Sequence, residues 1–408
     1  MPTPVLSDSE ALELVRRGLH TELPADRLEQ RMKTGPLRVK LGLDPTASRV
    51  HLGWAVVLRK LRHFQEAGHT AVLVVGDYTA RIGDPTGKSA TRKRLTAEQV
   101  KEYSEQCLAR VTPLLLQDRL EIRYNSEWLE NFAFDEVLGL ISKATVSQIL
   151  ERDDFSKRFK ESRPISMVEF IYPLLQAYDS VQLKADIELG GSDQLFNNLM
   201  GRTIQEAYGQ QSQLVCTVPL LVGLDGKDKM SQSLGNDVAV DEAPDDMFGK
   251  LMSIPDTAIV DYCTLAAWMP KSELDPIATG LASGELNPMA AKRAMAGAVV
   301  DLYHGPGAGT GAEAAFDRVH VHRQEPEEMP VRTISSVYGE ESEITLATLI
   351  AALFSVSKKE ARRLIDQGGI RLDGEPEPAD RPVSATELHG VTVQRGRRMF
   401  VKMTAESS

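Results

Sequence analysis

Residues 37–78, "LRVKLGLDPTASRVHLGWAVVLRKLRHFQEAGHTAVLVVGDY", decide the fold class. The segment "LRVKLGL" (37–43) is a strand rich in Leu and Val. After the loop "DPTASRVHLG", the run "WAVVLRKLRHFQEAGH" sets Val57, Leu58, Leu61 and Phe64 at helical spacing, with Gly68 as its stop. The next strand, "TAVLVVGDY", is short and almost wholly apolar, as parallel strands covered on both faces are. Strand, helix and strand in this order form a βαβ unit, which predicts an α/β domain with a Rossmann-like, doubly wound parallel sheet. Such sheets bind ligands at the carboxyl ends of their strands. Two loops fall there: "DPTASRVHLG" and "GDYTARIGDPTGKS".

The second loop resembles a phosphate cradle, but it is one residue short. A P-loop has four residues between its first Gly and the Gly-Lys-Ser/Thr. Here Gly83 is followed by three residues, then Gly87, Lys88 and Ser89. A nest of backbone amides wrapped round phosphates needs the full length, which argues against a P-loop NTPase.

Further along, a helical stretch is expected from about Thr96 to Leu150, and strands over "VQLKADIEL" (181–189) and "QLVCTVPLLVG" (213–223). Beyond Val238 the chain looks mainly helical to about residue 325, with "HGPGAGTGAEA" as a break. The acidic, Pro-containing "HRQEPEEMPV" reads as a linker. The last unit combines two helices, "LATLIAALF" and "SKKEARRLIDQGG", with short strands. Ser357 and Glu360 have capping-box spacing, and Gly368 supplies the stop. The expected domains are a catalytic unit with a helical insertion (1–228), a helical unit (229–325), a linker (326–341) and a small α+β unit (342–408).

A chain of 408 residues, 42% hydrophobic and 26% charged, can bury more than one core. No apolar run reaches the roughly 20 residues that span a bilayer, and the N-terminus lacks the basic and apolar regions of a signal peptide. Cys107, Cys216 and Cys263 lie far apart, without zinc-pair spacing, and fit free thiols in a reducing cytoplasm. The net charge of −11 is unevenly spread. Residues 342–408 hold ten Lys/Arg against nine Asp/Glu, leaving −12 for the rest. An acidic body with a locally basic tail still permits an RNA partner.

Four constellations could carry chemistry. "HLGW" (51–54) puts an imidazole and open backbone amides at a helix N-terminus, a ready anion site. "KMSQS" (229–233) is a cationic, Gly-bracketed loop able to close over polyphosphate. Each alone reads as a surface loop. Tyr172, Gln176 and Asp179 lie at i, i+4 and i+7, on one face of an apolar helix. Such a buried polar stripe must be satisfied, by a polar ligand or by a structural network. In "LGGSDQLFN" (189–197), glycines allow close backbone approach, and Asp193 and Gln194 can grip hydroxyl or ammonium groups.

Together and in this order the four segments resemble the bacterial tyrosyl-tRNA synthetases, class I aminoacyl-tRNA synthetases. That family has a His-Ile-Gly-His signature, here "HLGW", and a Lys-Met-Ser-Lys-Ser loop, here "KMSQS". Its Tyr-x-x-x-Gln-x-x-Asp helix is matched by Tyr172, Gln176 and Asp179, and its further segments by residues 42–53, 82–89 and 190–194. The resemblance implies a tyrosine–tRNA ligase using L-tyrosine, ATP with Mg2+, and tRNA(Tyr), as a cytoplasmic homodimer with no protein-built metal site. It implies that Asp84, Tyr172 and Gln176 hold the tyrosine ammonium, that Asp179 reads the phenol, and that Gly42 and Gln194 border the amino acid. It assigns ATP to Asp44, His51, Gly53, Trp54, Asp193, Lys229, Met230, Ser231, Gln232 and Ser233. His51, Lys229, Lys88 and Arg92 would stabilise the reacting phosphates.

Two positions depart from the family pattern. Trp54 replaces the second His and Gln232 the second Lys, so two cations are lost and Lys229, Lys88 and Arg92 should carry more of the phosphate charge. Lys40 stands where many members place a Tyr, so Asp179 needs another partner. The tail resembles the small RNA-binding domain of a ribosomal small-subunit protein, with Lys358, Lys359, Arg362 and Arg363 as its basic helix face. Open alternatives are the tryptophan-specific sister enzyme and a non-catalytic RNA-binding paralogue.

Overall fold

A computed structural model of the chain describes residues 6–46, 49–84, 95–320, 329–338, 343–396 and 399–404. Its contacts divide into two units, Met1–Ala243 with Lys250–Tyr303, and Pro244–Gly249 with His304–Ser408.

The first unit is built on six strands: β1 (Thr21–Leu23), β2 (Arg38–Leu43), β3 (Thr70–Val75), β4 (Leu120–Tyr124), β5 (Ile187–Gly191) and β6 (Leu214–Val218). Their spatial order is β1-β6-β5-β2-β3-β4. Strands β2 to β6 are parallel and β1 is antiparallel on the edge. From β2 the chain builds outward through β3 to β4, then returns to the other side of β2 for β5 and β6. The switch point therefore lies between β2 and β5, and their carboxyl ends open the crevice where such sheets bind ligands.

Helices of this unit include α1 (Asp8–Arg16), α2 (Leu52–Glu66), α3 (Ala97–Val111), α4 (Met167–Leu183) and α5 (Leu195–Ala207). His51 is the N-cap of α2, and Gly68, at φ +96°, follows its last turn. A capping box of Ser166 and Glu169 starts α4. Lys60 of α2 donates to the carbonyls of Leu14, Val15 and Arg17, so its ammonium caps the end of α1.

Three expectations are corrected. Residues 96–150 are not one helical stretch: the alternating "LEIRY" forms β4, whose neighbour β3 supplies the hydrogen bonds that its local pattern does not reveal. The expected strand over 181–189 begins at Ile187, because α4 runs on to Leu183 and turns at Lys184 in the left-handed region. The break at "HGPGAGTGAEA" is confined to its start, since a helix resumes at Ala308 after Gly305 and Gly307 at positive φ.

In the second unit, five strands follow the order Glu375–Pro376, Ile370–Leu372, Thr392–Arg395, Met399–Thr404, Val331–Thr333, and a separate pair joins Pro382–Ser384 to Glu343–Thr345. Its helices include Leu346–Leu353 and Lys358–Asp366. Leu346, Leu349, Ile350, Ala361 and Ile365 from these helices share one core with Ile370, Val393 and Val401. Ser357 accepts from Glu360 N at 3.1 Å, but only half of the expected capping box forms. The Glu360 carboxylate is turned to Arg363 instead.

Candidate active site

The switch point brings together residues far apart in sequence. Parallel register sets Lys40 of β2 beside Glu188 of β5. Both are buried, and Lys40 Nζ lies 2.9 Å from Glu188 Oε1. Lys40 also donates to Gln176 O and Ser180 Oγ, each at 2.8 Å. The lysine is thus spent on β5 and α4. Two residues on, Gly42 occupies the same face of β2, and a Cβ there would meet nothing within 4 Å. That open patch is bordered by Asp44, at the end of the strand.

Asp44 is held by Tyr172, whose hydroxyl donates to Oδ2 at 2.7 Å, and by Thr79 Oγ1, which donates to Oδ1 at 2.9 Å. Gly76 lies so close that a Cβ would fall 2.0 Å from Asp44 Oδ1. Burial, then the Asp44 charge, pushes the Tyr172 phenol well above its ordinary range, so it donates and does not ionise.

One polar face of α4 carries Tyr172, Gln176 and Asp179, as their spacing predicts. Asp179 is 3% exposed. Trp128 Nε1 donates to its Oδ1 at 2.9 Å, and Asn125 Nδ2 lies 3.5 Å from its Oδ2. Burial raises the Asp179 carboxyl to about 7, against the opposing pull of Lys40, Trp128 and Asn125. Gln176 donates to Glu188 Oε1 at 3.1 Å and Asn198 Oδ1 at 3.2 Å, and accepts from Asn197 at 3.1 Å. Asn197 in turn donates to Gln194 Oε1 at 3.1 Å, and Gln194 donates to Asp84 Oδ2 at 2.9 Å. Asp84 is also paired with the buried Arg152 at 3.1 Å. One network therefore runs from Lys40 through Gln176 to Asp84.

At the N-terminus of α2, His51 is buried and its Nδ1 has no hydrogen-bond partner. Burial lowers its pKa to about 4, with Lys229 and Arg49 pushing the same way and Asp237 opposing. The ring is thus neutral at pH 7. Gly53 fits because a Cβ there would sit 3.0 Å from the His51 ring and 3.4 Å from Met230 Cβ. The Trp54 ring is tilted 55° to that of His51, with 6.0 Å between centroids. The loop after β6 closes on itself: Met230 N donates to Leu221 O at 2.8 Å, and Ser231 N to Asn236 Oδ1 at 2.8 Å. Met230 is buried under it, while Gln232 and Ser233 are exposed. Lys229 Nζ reaches Asp193 Oδ2 at 2.7 Å, which ties this loop to the end of β5. Lys88 and Arg92 lie outside the described residues. Among the described residues, no three His, Cys, Asp or Glu side chains gather as a metal site.

The family profile described as tRNA synthetases class I (W and Y) matches residues 32–321, and the S4 domain profile matches residues 345–384. The tyrosine–tRNA ligase of Moorella thermoacetica is 45% identical over 96% of this chain and 95% of its own length. That of Thermotoga maritima is 45% identical over 91% of each chain. The chain belongs to the tyrosine–tRNA ligase family. Among solved structures, the tyrosyl-tRNA synthetase of Archaeoglobus fulgidus complexed with L-tyrosine is 25% identical, with a TM-score of 0.62, over 75% of this chain and 99% of that one.

For a tyrosine–tRNA ligase, the sequence pattern locates the helix face and both signature loops. It does not reveal Trp128, Asn125, Thr79, Arg152, Asn197 or Glu188, which hold those side chains in place. Glu188 alone left a trace, as an acid between the apolar Ile187 and Leu189. Trp128 and Asn125 sit just beyond the unrecognised β4.

Proposed function

We propose that the chain activates L-tyrosine with ATP and passes the tyrosyl group to the terminal adenosine of tRNA(Tyr). In the first step the tyrosine carboxylate attacks the α-phosphorus, the bond to the bridging oxygen breaks, and pyrophosphate leaves. In the second, an adenosine hydroxyl attacks the acyl carbon of the adenylate and AMP leaves. Magnesium enters as the counter-ion of the nucleotide.

The observation that carries this reading is a buried carboxylate, Asp179, on the polar face of α4. Asp179, held from behind by Trp128 and Asn125, is the group that reads the phenol. Tyr172, Gln176, Gln194 and Asp84 lie along the same network, where they meet the amino-acid head group. Gly42 leaves the space the substrate fills. Asp44 and Asp193 orient ATP, whose adenosine lies toward Gly53, Trp54, Met230 and Ser231. Catalysis is then a matter of positioning and charge. His51 acts as a neutral hydrogen-bond donor, and Lys229, with Lys88 and Arg92, supplies positive charge to the reacting phosphates. Gln232 and Ser233 add only neutral donors. The neighbour that binds L-tyrosine supports the choice of substrate.

The basic face of the last long helix suits RNA phosphates. Lys358 and Lys359 are exposed, whereas Arg362 is paired with Asp380 at 3.1 Å and Arg363 with Glu360 at 2.5 Å. The two lysines are therefore the stronger contacts. The domain boundaries at 228, 325 and 341 follow the same division of labour. Phe134, Leu138, Val146, Phe159 and Met167 are exposed in one segment, Phe134 by 76% and Met167 by 70%, and a second copy of the chain would cover them. Cys107, Cys216 and Cys263 are free and buried, which suits a cytoplasmic setting, and no helix among the described residues is long and apolar enough to cross a membrane.

Tyrosine-dependent ATP–pyrophosphate exchange tests the proposal. Exchange with tyrosine and none with tryptophan is expected. Exchange with neither, beside retained RNA binding, would favour a non-catalytic RNA-binding role.

A further inference from the structure

We propose that the first unit carries a second anion site, fitted to a phosphoryl group, on the flank of α2 away from its N-terminus. Arg59 and Arg62 share one face of α2 and line a cavity of about 100 Å³ with Pro113, Leu114, Leu302 and Tyr303. Arg62 is already engaged: Nε donates to Glu66 Oε1 at 2.9 Å and Nη1 to Leu114 O at 3.2 Å. Arg59 has no hydrogen-bond or ion-pair partner among the described residues, and its Nε is buried. A guanidinium nitrogen that has lost water must regain bonds elsewhere.

The charge around Arg59 points the same way. Arg62 and Arg17 both bear on it, and the nearby acid, Glu66, is held by Arg62. Arg17 has a buried Nη2 without a partner. Burial, with Arg62 and Arg17 adding to it, pulls the Arg59 guanidinium below its ordinary range against the opposing pull of Glu66 and Tyr303. Three cations therefore converge, with Glu66 paired to Arg62 and Glu13 bearing on Arg17, in a chain whose net charge is −11. The Tyr303 ring brings a hydroxyl to the same cavity. The Arg59 fork, the remaining donors of Arg62 and a hydroxyl match the several oxygens of a phosphoryl group.

The site is separate from the catalytic crevice. Arg59 follows His51 by eight residues on α2. At about 1.5 Å per residue that is roughly 12 Å along the axis. Phosphoryl oxygens could come from the backbone of bound tRNA, or from free phosphate or pyrophosphate.

Full-length Arg59→Gln and Tyr303→Phe variants distinguish these sources, with ATP–pyrophosphate exchange as the control that should not change. For a free anion, inorganic phosphate raises the wild-type Tm more than chloride of equal ionic strength does. Its dissociation constant by titration calorimetry then rises about tenfold in Arg59→Gln. For the RNA backbone, phosphate has no such effect. Instead Arg59→Gln weakens tRNA binding and lowers the slope of log affinity against log salt by about one. Should Arg59→Gln fail to fold, Tyr303→Phe, which removes only a hydroxyl, carries the same comparison. Phosphate response, tRNA affinity and salt slope all unchanged in the folded variants would overturn the proposal.

Discussion

The indole Nε1 of Trp128 donates to Asp179 Oδ1 at 2.9 Å, fixing one oxygen of a buried carboxylate. Lys40, the nearby buried cation, is 2.9 Å from Glu188 Oε1 and holds that acid instead. Trp128→Phe keeps an aromatic ring but deletes the donor. Tyrosine affinity measured by calorimetry should fall about tenfold, the worth of a hydrogen bond to a charged group. Unchanged affinity would mean that the indole only fills space.

The elevated pKa of Asp179 gives the pocket a pH dependence. Burial pushes the native carboxyl up to about 7, from an ordinary value of 3.8 in the unfolded chain. Between those values the native state binds more protons, so this group's contribution to stability falls as pH rises from about 4 to about 7. A phenol donates best to the ionised acid, so tyrosine affinity should fall as pH drops from 8 to 6. Asp179→Asn should remove both slopes, read by denaturant titration and calorimetry. Slopes that survive in Asp179→Asn would assign them to another group.

Two glycines separate space kept for ligand from space kept for structure. Gly42 faces an opening, so Gly42→Ala should leave Tm within a few degrees of wild type while raising KM for tyrosine or ATP several-fold. Gly76→Ala places a Cβ against Asp44 and Thr79, so it should displace Asp44 and lower kcat as well. Equal effects of the two variants on KM and kcat would contradict this distinction.

The βαβ unit of residues 37–78 was legible because its strands and its helix each show one clear period. So was the Tyr172-Gln176-Asp179 face, since helical spacing fixes which side chains align. Strand β4 was not legible: five residues of alternating character inside a helix-forming context become a strand only through their pairing with β3. The partners of Asp179 were hidden for the same reason, because Asn125 and Trp128 are positioned by that strand. Nor could sequence separation alone show that Lys40 meets Glu188, which parallel register across the switch point sets.

In the tail, Lys358 and Lys359 are the exposed basic side chains without an acidic partner among the described residues of their helix. The double substitution Lys358→Gln, Lys359→Gln should weaken tRNA charging and lower the salt slope of tRNA binding by about 1.5 to 2. Tyrosine-dependent ATP–pyrophosphate exchange should not change. A fall in exchange of the same size as the fall in charging would contradict an RNA-binding role confined to this helix.

The most direct test is the ratio of kcat/KM for tyrosine over phenylalanine in ATP–pyrophosphate exchange, compared between wild type and Asp179→Ala. A buried carboxylate left without a hydroxyl partner disfavours phenylalanine, a discrimination already characterised for enzymes of this type. Removing the carboxylate should shrink the ratio by roughly ten- to a hundredfold, the worth of one charge-assisted hydrogen bond. A ratio that stays at its wild-type value, in a variant that folds and still binds ATP, would contradict the assignment of Asp179 as the reader of the phenol.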